Sequence, residues 1–410
     1  MNEQAPVVTV RAIAAGGDGV ATLGDGRTVF IPRAAPGDEL RLRNVRLRSR
    51  FARADIAELI APGPGRVVPP CAHYVADRCG GCQIMHLDAA TQRETKARIA
   101  GDALRRLAHL DADDPDVVPS PDAFGYRTKV TFTMQQGRLG YHRVGDAEHV
   151  FDVHECLIAH PDVRELHAAV RHARATLPQT GARVVLRLDR DGGRHVLVRT
   201  PAGDAWNGGK ALHQALERSG LSTVVWWHPE GGKARAVAGA ADPWPATVFE
   251  QVHPAMGHVV RAAALDALGD VAGEQVWDLY AGIGESTAEL TRRGAQVTSV
   301  EIDPRAVQLA ESIGPAGSQR MTGKVEAIVD RLPRPDAIIT NPPRTGMAER
   351  ATQIVGESGA RRIAYVSCDA ATLARDIVRL GPGYRVASVR AFDQFPQTAH
   401  LETVAVLERA

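Results

Sequence analysis

Three short polar motifs in the last quarter of the chain carry a carboxamide, a thiol and a carboxylate next to runs of apolar residues. They are Asn341 in NPPR, Cys368 in SCD and Glu402 in HLE. A buried strand needs none of these side chains, so their positions at strand ends predict a shared site. Each alone also fits a plainer role, as a turn amide, a core thiol or a surface acid. A thiol and a carboxylate together can add to an electrophilic carbon and later remove a proton.

A glycine motif, DLYAGIGE, begins at Asp278 directly after another apolar run. Gly282 and Gly284 allow the backbone to approach a ligand at a helix N-terminus. Glu301 follows Asp278 by 23 residues, where an acid can accept hydrogen bonds from ribose hydroxyls. The motif lacks a third glycine and carries two acids, which favours the sulfonium cofactor S-adenosylmethionine over a dinucleotide. The alternative is a generic strand-turn-helix corner.

These two sets of residues together predict methyl transfer to C5 of a pyrimidine. C5 becomes nucleophilic enough only after a thiolate adds to C6, and a base must then remove the C5 proton before the thiolate leaves. We expect Cys368 to be the nucleophile and Glu402 the base, with its pKa raised by burial in the apolar run LETVAVLE. The Asn341 amide can accept from uracil N3–H and donate to O4, whereas cytosine mismatches both atoms.

The four other cysteines form a close trio, Cys71, Cys79 and Cys82, with a distant partner, Cys156. A total of five cysteines argues against a disulfide framework. The spacing fits either a tetrahedral zinc ion or a [4Fe–4S] cluster and does not decide between them, although the tight trio leans toward iron–sulfur. We expect a structural role, because neither methyl transfer nor proton removal needs an electron.

The predicted fold class is α/β. Residues 251–410 alternate near-continuous apolar strands with amphipathic helices, which predicts a Rossmann-like, doubly wound and mostly parallel sheet. The predicted strands are QVWDLY, QVTSVEI, DAIITN, RIAYVSC, RVASVRAF and LETVAVLE. Ligands bind beyond the carboxyl ends of such strands, so the candidate residues lie where a site is expected.

Three further units precede this domain in the predicted organisation. Residues 1–60 alternate apolar and polar positions between glycine-rich turns, which predicts a small OB-like β-barrel. A linker and the cysteine segment occupy 61–90, with a helix predicted near 88–108. Residues 91–250 mix strands with a helix near 161–176, which predicts a central α+β domain.

Charge placement and the absence of targeting signals narrow the expected setting. Six arginines crowd the stretch 41–53 although the net charge is only +1, which is typical of a phosphate-binding face and also of a solvated strand face. No apolar run approaches the roughly 18 residues of a membrane span. The first residues, MNEQAPVVTV, resemble no signal peptide, so we expect a cytoplasmic protein without membrane partners. We also expect a monomer.

Motifs along the whole chain resemble the RNA uracil-C5 methyltransferases that carry an N-terminal TRAM barrel and an iron–sulfur cluster. The motifs are CAHYVADRCGGC, FDVHEC, FEQVHP, DLYAGIGE, NPPRTG, YVSCDAATLARD and DQFPQTAHLETVAVL. The last two of these are the most specific to that family. The resemblance implies an enzyme that uses S-adenosylmethionine to methylate uridine in structured ribosomal or transfer RNA.

The resemblance also implies roles for individual residues. Cys368 would be the nucleophile and Glu402 the proton acceptor. The implied cofactor contacts are Gln251, Tyr280, Glu301 and Asn341, and the implied cluster ligands are Cys71, Cys79, Cys82 and Cys156.

Three positions depart from the family pattern and leave alternatives open. The family usually has Asp at Asn341, Asn at Glu285 and Asn at Asp369. Asp369 beside the thiol could protonate cytosine N3, so a cytosine-C5 methyltransferase is one alternative. A catalytically silent RNA-binding protein is another, although it would need neither Cys368 nor Glu402. An amino-group methyltransferase ranks third, because Arg344 replaces the aromatic residue of the NPPY loop.

Overall fold

The computed structural model describes residues 5–240 and 248–410. Residues 1–4 of the predicted barrel and 241–247 of the predicted central domain lie outside the described residues. The first sheet contains six strands, which are β1 (Val7–Thr9), β2 (Ala12–Ile13), β3 (Gly19–Thr22), β4 (Thr28–Ile31), β5 (Glu39–Leu47) and β6 (Phe51–Ala61). Consecutive strands β1 and β2 are the two edge strands of this sheet, where they pair with β5 and β3 respectively, so the sheet curves around its own apolar core.

The cysteine segment links this sheet to the rest of the chain. It contains the short helix α1 (Ala72–Val75) and leads into α2 (Ala89–Leu107), which begins where the Asp88 carboxylate accepts a hydrogen bond from Thr91 N at 2.7 Å. A two-residue strand, β7 (Val117–Val118), follows. The helix predicted near 88–108 is confirmed.

The second sheet is mostly antiparallel and has two helices packed on one face. Its strands run in the order β10-β9-β8-β11-β12-β13-β14. They are β8 (Lys129–Gln135), β9 (Arg138–Arg143), β10 (Asp146–Asp152), β11 (Ala182–Leu188), β12 (Arg194–Thr200), β13 (Thr223–Pro229) and β14 (Arg235–Ala238). Helices α3 (Pro161–His172) and α4 (Gly209–Arg218) bury their apolar faces against it, and a 3-10 turn spans Arg174–Thr176.

The third sheet has eight strands in the order β17-β16-β15-β18-β19-β21-β20-β7. The remaining strands are β15 (Gln275–Leu279), β16 (Gln296–Glu301), β17 (Gln319–Thr322), β18 (Ala337–Thr340), β19 (Arg362–Ser367), β20 (Tyr384–Phe392) and β21 (Glu402–Arg409). The helices are α5 (Pro254–Ala267), α6 (Glu285–Arg292), α7 (Pro304–Ile313), α8 (Val325–Ile328), α9 (Glu349–Glu357) and α10 (Ala370–Leu380), with a 3-10 turn at Val329–Arg331. Strands β15 to β19 are parallel, whereas β21 is antiparallel to both neighbours.

Both faces of the third sheet are buried. Val276 and Trp277, adjacent on β15, belong to separate apolar cores on opposite faces, as the two-residue period of a strand requires. Helix α5 packs on one face, and α9 and α10 pack on the other. This arrangement confirms the predicted doubly wound α/β sheet. No helix in the described part of the chain is long and apolar enough to cross a membrane.

Two early elements pack against the third sheet although sequence analysis placed residue 91 onward in a central domain. Leu104 of α2 lies in the same core as Trp277 and Leu373. Strand β7 pairs in parallel with β20, through Val117 with Ala391 and Val118 with Phe392. Packing therefore divides this region after β7.

Candidate active site

The turn that follows β15 is built from left-handed residues. Tyr280, Gly282 and Gly284 have φ angles of +62°, +57° and +75°, and Gly284 is the N-cap of α6. A side chain at Gly282 would meet nothing within 4 Å, so glycine is needed there for its conformation while the space in front remains open. The turn therefore leaves an open space at the N-terminus of α6.

Five of the seven predicted cofactor residues line one cavity at this turn. The cavity has a volume of about 80 Å³ and is lined by Gln251, Asp278, Tyr280, Gly282 and Asn341, among others. These residues come from three separate segments of the chain, which the third sheet and the N-terminal approach to α5 bring together. The structure thus supports their grouping into a single ligand site.

Glu301 lies beside the cavity, where it holds the glycine turn. One of its carboxylate oxygens accepts from Gly282 N at 2.9 Å and the other accepts from Asp303 N at 2.8 Å. An ionised carboxylate has about four acceptor sites, so two remain for a ligand. The acid therefore orders the turn in addition to any contact with ribose.

Asp278 is buried at the base of the turn. Its carboxylate accepts from Thr287 Oγ1 at 2.6 Å, which connects the end of β15 to α6. Burial raises the pKa of Asp278 to about 6, against the opposing effect of the Thr287 hydrogen bonds. At neutral pH the carboxylate is therefore mostly ionised and places negative charge beneath the cavity.

Cys368 directly follows β19, and Glu402 is the first residue of the adjacent strand β21. Ser367, the last residue of β19, pairs with Thr403 of antiparallel β21, and Thr403 Oγ1 donates to Ser367 O at 2.9 Å. Cys368 and Glu402 are the next residues beyond this last pair, and the effect of Glu402 on the Cys368 pKa agrees with their lying close together. The structure thus brings together the thiol and the acid that sequence analysis paired.

Burial opposes the ionisation of both groups, and Glu402 also opposes that of Cys368. Burial raises the pKa of the Cys368 thiol, and the neighbouring Glu402 raises it further. Burial also raises the pKa of Glu402 to about 8. A carboxyl group with this pKa holds its proton in the free protein and lies close to the value suited to proton transfer near neutral pH.

Arg344 is a site residue that sequence analysis considered only as a reason to exclude another enzyme class. Its guanidinium lies close to the Cys368 thiol and lowers the pKa of both Cys368 and Glu402. Its carbonyl accepts from Thr372 Oγ1 at 3.1 Å, which anchors the loop after β18 to α10. A cation three residues after a strand-end amide, in a sequence with an isolated thiol, is the signal that could have identified it.

Asp369 has a helix-capping role. Its Oδ1 accepts from Thr372 N at 2.8 Å, and it is the N-cap of α10. The acid at the shoulder of the nucleophile is therefore engaged by the backbone. Glu285, another departure from the family pattern, pairs with Arg261 at 2.5 Å at the rim of the cofactor cavity.

The four remaining cysteines also converge. Cys71, Cys79, Cys82 and Cys156 are free thiols that line a second cavity of about 200 Å³ between the cysteine segment and the second sheet. Two hydrogen bonds join the cysteine segment to the second sheet and its following loop. His154 N donates to the side-chain Nε2 of His73 at 2.9 Å, and Gly80 N donates to His142 O at 3.1 Å. Within residues 5–240 and 248–410, no group of three or more potential ligands has the geometry to hold a single metal ion.

Comparisons with known proteins agree with this geometry. Residues 319–410 match the tRNA (Uracil-5-)-methyltransferase family. The chain is 31% identical to the 23S rRNA (uracil(1939)-C(5))-methyltransferase RlmD of Chromohalobacter salexigens, over 98% of this chain and 89% of that protein. It is 32% identical to an uncharacterized RNA methyltransferase of Streptomyces coelicolor, over 98% of this chain and 92% of that protein.

A solved structure extends the likeness to the whole fold. The Pyrococcus abyssi tRNA (uracil-54, C5)-methyltransferase, in complex with S-adenosyl-L-homocysteine, aligns with a TM-score of 0.75 over 99% of this chain and 100% of that one, at 23% identity. The fold and its glycine turn define an S-adenosylmethionine-dependent methyltransferase. More narrowly, the chain belongs to the RNA uracil-C5 methyltransferase family, which confirms the family predicted from its motifs. The TRAM barrel and the iron–sulfur cluster stay predictions.

Proposed function

We propose that this chain methylates C5 of a uridine in structured RNA, ribosomal or transfer, with Cys368 as nucleophile and Glu402 as base. The observation that carries the proposal is the register of β19 and β21, which sets the thiol opposite the acid at the edge of the sheet that also holds the cofactor cavity. A purely RNA-binding protein would need neither group.

Cys368 opens the reaction by adding its thiolate to C6 of the base, which makes C5 nucleophilic. Arg344 favours the thiolate, because the positive charge of its guanidinium lies close to the sulfur and offsets part of the effect of burial. S-adenosylmethionine, when bound, supplies the methyl group. The C5 proton is then taken by Glu402, the C5–C6 double bond re-forms, and the C6–S bond breaks to return the thiolate.

The cofactor is assigned to the cavity at the glycine turn. Gln251, Tyr280, Asp278 and Asn341 would contact it from the cavity wall. Gly282 and Gly284 would admit it to the turn, and the free acceptor sites of Glu301 would receive ribose hydroxyls. The ionised Asp278 suits a sulfonium cation.

Uridine is favoured over cytidine by two side chains. The Asn341 amide, exposed at the end of β18, can accept from N3–H and donate to O4 of uracil. Asp369 would have to protonate N3 of cytosine, but its carboxylate caps α10. The helix cap therefore supports the uracil assignment.

The four-thiol cavity fits a [4Fe–4S] cluster held by Cys71, Cys79, Cys82 and Cys156. Four free thiols around one enclosed space are the donor set that such a cluster takes. When bound, the cluster would supply a crosslink between the cysteine segment and the second sheet. It would stabilise the fold and take no part in methyl transfer.

The N-terminal sheet is proposed as the RNA-binding TRAM barrel, spanning residues 1–60. Exposed arginines on β5 and the turn after it offer phosphate contacts that position RNA without reading its sequence. They are Arg43, Arg46, Arg48 and Arg50. The segments 61–90, 91–250 and 251–410 complete the division, with α2 and β7 packed on the last of these. We place the enzyme in the cytoplasm as a monomer.

The direct test compares RNA from cells with and without the gene. Nucleosides from digested ribosomal and transfer RNA are quantified by mass spectrometry. Loss of 5-methyluridine from one RNA class in the deletion strain, and its return on complementation, is the expected result. Loss of 5-methylcytidine would support the cytosine alternative, and no change in either nucleoside would support a silent RNA-binding protein.

A further inference from the structure

The loop that leads into Glu402 is buried and has no regular secondary structure. Residues 393–401, here named the base loop, connect β20 to β21. Its polar residues Asp393, Gln394, Gln397 and Thr398 are all buried. Because no helix or strand pattern determines its shape, contacts with neighbouring elements must do so.

Helix α2 supplies the main contacts through two residues one turn apart. The Lys96 ammonium, with no exposed surface, bonds the Asp393 carboxylate and donates to Phe395 O at 3.0 Å. The Gln92 amide donates to Gln397 Oε1 at 3.0 Å and accepts from Gln397 N at 2.9 Å. Residues four apart share a helix face, so both contacts come from one surface of α2.

The backbone of the base loop is held in a costly conformation. Gln397 has a φ of +70°, a left-handed value that a non-glycine residue adopts only when its surroundings enforce it. Ile84 N donates to Gln397 O at 3.2 Å and Tyr126 OH donates to Pro396 O at 2.9 Å. These contacts and the Gln92 amide therefore fix one shape for the loop.

Arg344 and Glu402, the two partners of the Cys368 thiol, are held in place by different contacts. Cys368 directly follows β19, and Arg344 lies on the loop after β18. Helix α2 meets this region through apolar packing, because Ile99 and Ala100 share a core with Ala370 of α10. Gln92 and Lys96 of α2 instead bond the base loop. Glu402 stands at the end of the base loop, where Leu401 and His400 separate it from the fixed residues. A change in the base loop would displace the base more than the nucleophile.

We propose that Lys96 and Gln92 are positioning residues that fix the base loop and thereby place the Glu402 carboxylate against C5. The inference rests on the proposed function, because it assumes that Glu402 removes the C5 proton. Loss of these contacts slows release of the methylated base while addition of Cys368 and methyl transfer continue. The methylated RNA then stays covalently attached to the enzyme.

The test measures that attachment with the full-length holoenzyme. Each variant is incubated with S-adenosylmethionine labelled in its methyl group and with total RNA from cells that lack the gene. Label is then counted in the protein band of a denaturing gel and in free RNA. The double variant K96M/D393N removes both charges, so that neither is left buried without a partner. Q92L removes the amide pair and keeps the ion pair.

We expect both variants to raise the protein-bound fraction of label by about tenfold over wild type, since small misplacement of a catalytic group costs one to two orders of magnitude. R361M is the matched control. Arg361 pairs with Glu274 at the amino ends of β19 and β15, away from the site, so its loss should leave the protein-bound fraction of label unchanged. Variants that lose methyl transfer and attachment together, or that release RNA like wild type, would overturn the inference.

The same gel separates this inference from the proposed function. E402Q must itself accumulate protein-bound label if Glu402 is the base. If E402Q shows none, the proposed function fails. If E402Q accumulates label and K96M/D393N and Q92L do not, only the positioning role fails.

Discussion

The cysteines of this chain occupy two unlike regions. In the four-thiol cavity, cysteines are each other's neighbours, and burial raises the pKa of Cys79 to about 11 with further increases from Cys156 and Cys71. Burial also raises the pKa of Cys368, but its neighbours are the Arg344 guanidinium and the Glu402 carboxyl. Burial raises the thiol pKa in both regions and so does not distinguish them. The groups beside the thiols do distinguish them.

The difference indicates which thiols serve as permanent ligands and which one forms and breaks a bond in each catalytic cycle. Several thiols facing one space suit permanent ligation, since a metal cluster neutralises charges that would otherwise repel. A single thiol between a cation and an acid can form a bond and release it within one cycle. Substitutions in the two regions should therefore affect different measurements.

The largest effect is expected from C368A. Removing the nucleophile should lower methylation by at least on the order of 10³-fold, because C5 is then never activated. The melting temperature should stay close to that of wild type, since the thiol is only half-buried. Methyl transfer from labelled cofactor and thermal unfolding are measured on the same preparation. Substantial residual methylation would assign the nucleophile elsewhere.

E402Q should lower turnover by about 10²–10⁴-fold, the usual contribution of a general base. In wild type the release step should accelerate as pH rises and level off above about 8, because the base form of Glu402 fills only as pH passes its raised pKa of about 8. Stopped single-turnover assays between pH 6 and about 9.5 would resolve the release step. A release rate that falls with rising pH would contradict Glu402 as the base.

R344M should slow addition of the thiol by about ten- to a hundredfold at neutral pH. Without the guanidinium the Cys368 pKa rises further, and each unit lowers the thiolate fraction about tenfold. The rate of adduct formation with 5-fluorouridine RNA, measured against pH, should shift to higher pH in R344M and shift less in R344K. An unshifted profile with weaker RNA binding would limit Arg344 to substrate contact.

C156A should have the smallest effect on chemistry and the larger effect on the fold. We expect a melting temperature lower by about 5–10 °C, because a ligand to the proposed cluster is lost. Adduct formation by the folded fraction should stay within about threefold of wild type, since Cys156 lies in the other region. Unchanged stability together with lost adduct formation would reverse the comparison.

Sequence patterns predicted the strands of the third sheet because buried parallel strands are continuous apolar runs. QVWDLY, DAIITN and RIAYVSC all match observed strands. Strands β7 and β17 were missed, since each is short and only half-buried or exposed. The attachment of α2 to the third sheet was missed as well, because the pattern of a helix shows its buried face and not the partner of that face.

Sequence analysis predicted which residues form the candidate site better than it predicted how they are arranged. The types and spacing of Cys368 and Glu402 indicated their chemistry, but the register that sets them opposite each other depends on the antiparallel direction of β21. Arg344 was missed because an exposed arginine in a loop does not by itself indicate which side chain it will approach. Glu301 was predicted only as a ligand contact, and its bond to Gly282 N became visible only in the folded turn.

The central claim is that Cys368, and none of the other cysteines, bonds to the base. Fluorine at C5 blocks proton removal, so 5-fluorouridine RNA from cells lacking the gene should trap the covalent intermediate with the holoenzyme and S-adenosylmethionine. Digestion and mass spectrometry of the trapped protein should find a fluorinated, methylated nucleotide on the peptide that contains Cys368. Attachment to Cys71, Cys79, Cys82 or Cys156, or no attachment at all, would contradict the account.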